Sequence, residues 1–290
     1  MKRRIAASIP VIAGLIASIV LLGAVELPGS DSFVSNTGDL SLAPVRDAPA
    51  VQLGPQLAGN SRPADTSKWP ASYYGAQGGM ICSATVIGPR TVLTALHCVG
   101  NNKRITLSAK AGAPITGICH HPDAYEKDHD LSAEYALCRM DEVVQIPRYE
   151  SVSLDAGRLV KGALLLTTGY GCLIQGGPTR SNQMAIGSMW VGKPAGFDAS
   201  FPNLLTTDGA LANTAFLCQG DSGGGAYVGE ENGARVVVAV NAWVKPSVKV
   251  SYLASLSTPV AVDFLSKWAE HDGQEICGIS KGLTHCVVQP

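Results

Sequence analysis

Cys218-Gln219-Gly220-Asp221-Ser222-Gly223-Gly224-Gly225 sets a single hydroxyl among four glycines. Glycines at 220, 223, 224 and 225 clear side chains from around the Ser222 Oγ and let the backbone adopt positive φ, so a carbonyl group can approach and backbone N–H groups can face it. A serine among glycines also reads as an ordinary turn. The choice between turn and nucleophile rests on whether a base, and an acid to orient it, occur elsewhere in the chain.

Outward from this stretch, the chain consists of short apolar runs broken by Gly, Pro or Asn: 80–87, 91–96, 104–109, 135–140, 163–170 and 183–191 before it, 226–229 and 235–243 after it. Strands at this interval without alternating helices predict an all-β barrel or sandwich. Thr258-Pro259 then opens a stretch with Val260, Phe264, Leu265 and Trp268 at helical spacing, closed by Gly273 after His271, which predicts one C-terminal helix. A composition of 46% hydrophobic and 16% charged residues, with 32 Gly and 17 Pro, fits a well-buried, turn-rich β protein and excludes a disordered chain. The net charge of −1 offers no attraction to nucleic acid or to an anionic membrane surface.

Lys2, Arg3 and Arg4 precede an uncharged run from Ile5 to Val25, the layout of a secretory signal. Residues 1–27 are expected to be a signal peptide cut after Ala24, or to stay as an N-terminal anchor, the only membrane contact expected. Residues 28–57, rich in Gly, Ser, Ala, Pro and Asp, read as a linker or pro-segment, and 58–290 as the folded domain. The expected location is secreted, periplasmic or extracellular. Eight cysteines in an exported chain predict a disulfide framework; without a C-x-x-C pair, structural zinc is the weaker alternative.

A base for Ser222 is sought among six histidines. His97 stands in Thr94-Ala95-Leu96-His97-Cys98 at the end of an apolar run, where a structural role beside the cysteine is also open. His120 and His121, next to Pro122 and Asp123, read as a solvated loop, with a metal site shared with His129 as the minor alternative.

Taken together, Ser83-Ala84-Thr85-Val86-Ile87, Leu93-Thr94-Ala95-Leu96-His97-Cys98, Gly169-Tyr170-Gly171 and the Ser222 stretch resemble the trypsin/chymotrypsin-like serine protease family over roughly 69–268. The resemblance implies two antiparallel β-barrels with the site between them, an acyl-enzyme mechanism needing no metal or organic cofactor, and a protein or peptide substrate. Residue by residue, it implies Ser222 as nucleophile, His97 as general base, and the N–H groups of Gly220 and Ser222 as the oxyanion hole. Asp221 resembles the zymogen-type acid that pairs with a freed N-terminus. No Arg or Lys precedes an Ile-Val-Gly-Gly-like start, the nearest match being Leu57-Ala58-Gly59, so either another, activating protease makes the cut or Asp221 is satisfied differently.

Where the family has Asp-x-Ala-Leu, this chain has Glu134-Tyr135-Ala136-Leu137, which puts Glu134 in the orienting acid's place and leaves Asp130 as the substitute. Phe216, six residues before Ser222, takes the position at the base of the primary pocket. Without an acid there, an Arg or Lys side chain would be buried unpaired, so trypsin-like preference is not expected; Phe216 would favour small or aliphatic side chains, or else is plain core. The likeness implies Cys82–Cys98. Cys119–Cys138, Cys172–Cys218 and Cys277–Cys286 are expected from their positions in the chain. Two rivals remain: an α/β-hydrolase elbow at Gly220-x-Ser222-x-Gly224 with Asp263 and His271, and a catalytically impaired pseudoprotease acting as a binding module.

Overall fold

The structure, a computed structural model, describes residues 57–77, 80–109, 113–172, 183–193, 205–208, 214–271 and 273–290. The expected signal or anchor (1–27) and all but Leu57 of the expected linker (28–57) lie outside the described residues. In chain order the elements begin with β1 (Ala58–Gly59), β2 (Ser61–Pro63), β3 (Ser72–Gln77), β4 (Met80–Val86), β5 (Thr91–Thr94), β6 (Lys103–Leu107) and β7 (Ile115–His120). There follow α1 (Asp123–Asp128), β8 (Ala136–Met140), β9 (Leu164–Gly169), β10 (Ala185–Lys193), β11 (Leu205–Asp208) and β12 (Ala215–Phe216). β13 (Gly225–Gly229), β14 (Arg235–Lys245), β15 (Val250–Ser255) and α2 (Pro259–Ala269) complete the chain.

The first barrel is the antiparallel sheet β3-β4-β5-β8-β7-β6, closed by the bridge from Tyr74 on β3 to Ser108 just after β6. Val86, Val92, Leu107 and Met140 share the inner face and fill its interior, and each fully buried aliphatic side chain stabilises by roughly 1.5–3 kcal/mol. β5 is buried along its whole length because α2 covers it from outside: Trp268 Nε1 donates to Thr91 Oγ1 at 3.3 Å. α2 starts as its sequence dictates. Thr258 caps it by accepting the Ala261 N–H at 3.2 Å, and Pro259 occupies a first-turn position whose N–H has no helical partner.

The second barrel is the antiparallel sheet β11-β15-β14-β13-β9-β10, brought back on itself where β10 pairs with β11, with β2 added alongside β10. The expected fold, two antiparallel barrels and a C-terminal helix, is the one observed. Strands β1, β2, β3, β7, β11, β12 and β15 and the helix α1 were not expected. β3 and β7 carry polar residues and an internal glycine, and the six residues of α1 are too few to display a helical period. Neighbouring strands, rather than local pattern, make these segments extended.

The disulfides are Cys82–Cys98, Cys119–Cys138, Cys172–Cys218 and Cys277–Cys286, the pairs inferred from the sequence. A buried ion pair ties β14 to the segment joining the barrels. The Arg235 guanidinium, fully buried, donates through Nε to Glu150 at 2.9 Å, reaches the Glu231 and Lys68 carbonyls at 2.7 and 2.8 Å, and lies 3.7 Å above the Trp69 ring. With four of its five N–H donors bonded to oxygen and its face on Trp69, the desolvation of both charges is offset by this geometry.

Candidate active site

β5 ends at Thr94, and the chain turns through a 3-10 turn, Leu96–Cys98, that carries His97 into the cleft. The Cys82–Cys98 bridge fixes that turn to β4. Glu134 comes from the end of a second 3-10 turn, just before β8, and is 1% exposed. Its Oε1 lies 2.6 Å from His97 Nδ1 and also accepts the His97 backbone N–H at 2.9 Å. One carboxylate oxygen thus holds both the ring and the backbone of the histidine. A carboxylate at Nδ1 assigns the proton to that nitrogen and the lone pair to Nε2, on the other side of the ring. Trp243 stacks on the imidazole, with ring centres 4.6 Å apart.

Of the two candidate acids, Glu134 is therefore the one bonded to His97. Asp130 instead caps the turn before Glu134, accepting the Ser132 N–H at 2.9 Å. The extra methylene of Glu134 is accommodated because the carboxylate meets the ring and the backbone through the same oxygen.

Ser222 lies in the turn between β12 and β13. Its neighbour Gly223 has φ +87°, and a Cβ there would stand 2.1 Å from the Ser83 carbonyl oxygen of the first barrel, so no other residue fits. The Ser222 Oγ donates to the Ala242 carbonyl oxygen at 3.1 Å, and among the described residues no hydrogen bond joins it to the His97 ring. That carbonyl is presented by a β-bulge: on β14 the pairing with β15 steps from Asn241 to Trp243, leaving Ala242 as the extra residue.

Gly220, at φ +99°, and Ser222 have backbone N–H groups that meet no protein acceptor among the described residues. The carbonyls around them are drawn away from the cleft. Gln219 O accepts the Cys172 N–H at 2.8 Å, and Asp221 O accepts the Gly224 N–H at 3.0 Å and Asn241 Nδ2 at 3.3 Å. In a trans peptide the N–H points opposite to the carbonyl, so the N–H groups of residues 220 and 222 face the open side. Two such donors flanking Asp221, one of them on Ser222 itself, can hold an oxyanion.

Asp221 is completely buried against the backbone of Gly169 and Gly171. Its carboxylate accepts N–H bonds from Gly171 at 2.9 Å and Cys218 at 2.8 Å. Burial pushes its carboxyl up to about 7 against these two bonds, and no cationic side chain pairs with it among the described residues. The segment Leu57-Ala58-Gly59 joins this part of the fold through β1, which pairs Ala58 with Phe216 and Gly59 with Ala215.

The cleft beside His97 and Ser222 has a volume of about 650 Å³ and is walled chiefly by Met80, Ile81, Leu217, Trp243, Val244 and Pro246. Besides His97 its described lining carries no ionisable side chain. Phe216, expected either at the pocket base or in the core, is 6% exposed and lies against Gly59; the lining begins one residue later, at Leu217.

The remaining histidine candidates are engaged separately. His121 has Nδ1 2.7 Å from Glu126 and Nε2 3.0 Å from the Val99 carbonyl, while His120 packs on Trp268 and His129 on the edge of Tyr125. Burial lowers the His120 pKa, helped by His121. The elbow reading fails on context, since strand β13 and not a helix follows Ser222, and Asp263 is paired with Lys267 on α2. Sequence reasoning missed Ser83, Ala242 and Asn241. Asn241 alone left a signal, an amide inside the apolar run 235–243, which calls for buried partners.

A family model described as Trypsin matches residues 57–267. Transmembrane protease serine 11G of Rattus norvegicus is 23% identical over 252 residues, 75% of this chain and 60% of that protein, so the chain spans about three fifths of that relative's length. Among solved structures, human heparin binding protein aligns with a TM-score of 0.57 at 18% identity, over 72% of this chain and 95% of that one. A Glu endopeptidase in complex with MPD aligns with a TM-score of 0.54 at 16% identity, over 72% and 96%.

Proposed function

Since the chain belongs to the trypsin family of serine proteases, we propose that it is an exported endopeptidase in which Ser222, His97 and Glu134 cleave peptide bonds through an acyl-enzyme. The observation that carries this reading is the pair of bonds from Glu134 Oε1 to His97, which leaves the Nε2 lone pair available on the side away from Glu134. The Ser222 hydroxyl turns from the Ala242 carbonyl to His97, gives its proton to Nε2, and its oxygen attacks the scissile carbonyl. The N–H groups of Gly220 and Ser222 take up the charge on the carbonyl oxygen. Collapse breaks the C–N bond as Nε2 returns the proton to the leaving amine. Water then repeats the sequence on the ester, with His97 again as base.

The apolar cleft supports a preference for uncharged, aliphatic side chains at the cleaved bond, because a cation placed there would meet no carboxylate among the described lining. Residues 58–290 form the protease domain in this reading, 28–57 the pro-segment and 1–27 the signal or anchor. A relative named as a transmembrane protease supports the secretory route. The buried Asp221 suits a zymogen-type acid awaiting an amine released by an activating protease.

A second reading, a binding module without activity, draws on the Ser222 hydroxyl bonding Ala242 instead of His97. Intact-mass analysis of the exported protein after exposure to diisopropyl fluorophosphate separates the two. A single adduct, lost in Ser222→Ala, is the expected result; no adduct on a chain already cut near Ala58 would favour the binding module.

A further inference from the structure

Ser83, on β4 of the first barrel and 2% exposed, turns its backbone N–H and its hydroxyl toward the second barrel. Its backbone N–H donates to the Ser222 carbonyl at 2.7 Å and its hydroxyl to the Gly220 carbonyl at 2.8 Å. The same Oγ accepts the Tyr170 N–H at 2.9 Å, and the Ser83 carbonyl accepts Thr94 Oγ1 at 2.9 Å. Three of these four bonds run from the barrel that carries His97 to the loops that carry the nucleophile.

The bond to Gly220 falls at a sensitive place. The two oxyanion donors belong to the peptides 219–220 and 221–222, and the peptide between them, 220–221, is the one whose carbonyl the Ser83 hydroxyl holds. Gly220 is free to rotate on both sides, so its positive φ does not by itself keep that peptide in place. Cys172 secures the peptide before it, and Gly224 with Asn241 the peptide after it. The middle peptide is anchored by the Asp221 N–H to the Cys218 carbonyl at 3.1 Å on one side and by Ser83 on the other.

We propose that Ser83, through its hydroxyl, is a positioning residue that sets the two oxyanion donors and keeps them in register with His97. The proposal rests on the reading of Ser222 as nucleophile. Its consequence is selective. Losing the hydroxyl weakens stabilisation of a tetrahedral oxyanion while leaving the apolar cleft, and hence ground-state binding, as it was.

The test compares a peptide ending in valinal, whose aldehyde carbon forms a tetrahedral adduct with a serine hydroxyl, with the matching valinol peptide, which only occupies the cleft. Both are measured on the exported, processed protein and on Ser83→Ala. A donor removed outright from such a site costs about 10²–10³ in turnover, so a donor left in place but loosened is expected to cost roughly tenfold. The expected result is an aldehyde affinity and a kcat each down about tenfold in Ser83→Ala, with valinol affinity and KM within about twofold of wild type. Equal losses for aldehyde and alcohol, or no loss for either, would overturn the positioning role. Should Ser83→Ala not fold, Ser83→Gly, which removes the hydroxyl without adding an apolar methyl, is read in the same way. A wild-type protein that binds the aldehyde no better than the alcohol would sink the reading of Ser222 itself, and this proposal with it.

Discussion

Replacing Glu134 by Gln isolates charge from geometry at this site. Both bonds to His97 reach the same oxygen, Oε1, at 2.6 and 2.9 Å. A glutamine amide oxygen in that place can accept both, so the ring orientation and the Nδ1–H tautomer survive while the negative charge is lost. That charge matters only once His97 has taken the Ser222 proton. At a charge separation of roughly 4 Å and an effective dielectric of about 20, the carboxylate stabilises the imidazolium by about 4 kcal/mol. At 1.36 kcal/mol per decade this is close to 10³ in rate. The expected outcome for Glu134→Gln is a kcat about 10³-fold lower, an unchanged KM, an unchanged melting temperature, and a matching fall in the rate of modification by diisopropyl fluorophosphate. Asp130→Asn, which alters the cap on Ser132, serves as the comparison and keeps kcat within a few fold. A Glu134→Gln protein within tenfold of wild type would refute the reasoning, because the buried carboxylate would then contribute nothing to the charged state of the histidine.

Asp221 gives a pH prediction for the uncut chain. Its carboxyl, raised by burial from 3.8 to about 7, binds its proton more tightly in the folded than in the unfolded protein. The contribution is therefore full below about pH 4 and is lost as pH rises to about 7, a change of roughly 4 kcal/mol. Urea unfolding across that range is expected to show Asp221→Asn less stable at low pH, since one N–H then faces an amide NH2, but with a flatter slope; parallel slopes would contradict the assignment. Arg235→Met should leave the Glu150 carboxylate buried without its partner and cost about 3–5 kcal/mol, read as a lower melting temperature, with Glu150→Leu in the same chain recovering most of it. A loss below about 1 kcal/mol for the single change would mean that water reaches the pair.

Local chemistry made much of this protein legible before any coordinates. The Ser222 octapeptide, the His97 turn and the helix from Thr258 are each written in neighbouring residues, whose side-chain type, glycine content and spacing act over one or two turns of chain. Glu134 was legible as a candidate only through the resemblance of Glu134-Tyr135-Ala136-Leu137 to the family's Asp-x-Ala-Leu pattern, with Asp130 beside it. The strands Ser72–Gln77 and Ile115–His120 were not, because their extended form comes from neighbours across the sheet and not from their own alternation.

The parts that only tertiary structure decided are those where two distant segments must be known at once. Nothing local says that Phe216 pairs across strands with Ala58 near the start of the described chain. Nothing local says that Glu134 and not Asp130 meets His97, since the two lie four residues apart on one turn. Ser83 and Gly220 are 137 residues apart in sequence and 2.8 Å apart in space. The sequence by itself determined which groups are available for chemistry, since reactivity resides in the side chain and its immediate backbone. Their register across the cleft came from the packing of two closed barrels, where hydrogen-bond partners are chosen by the whole fold.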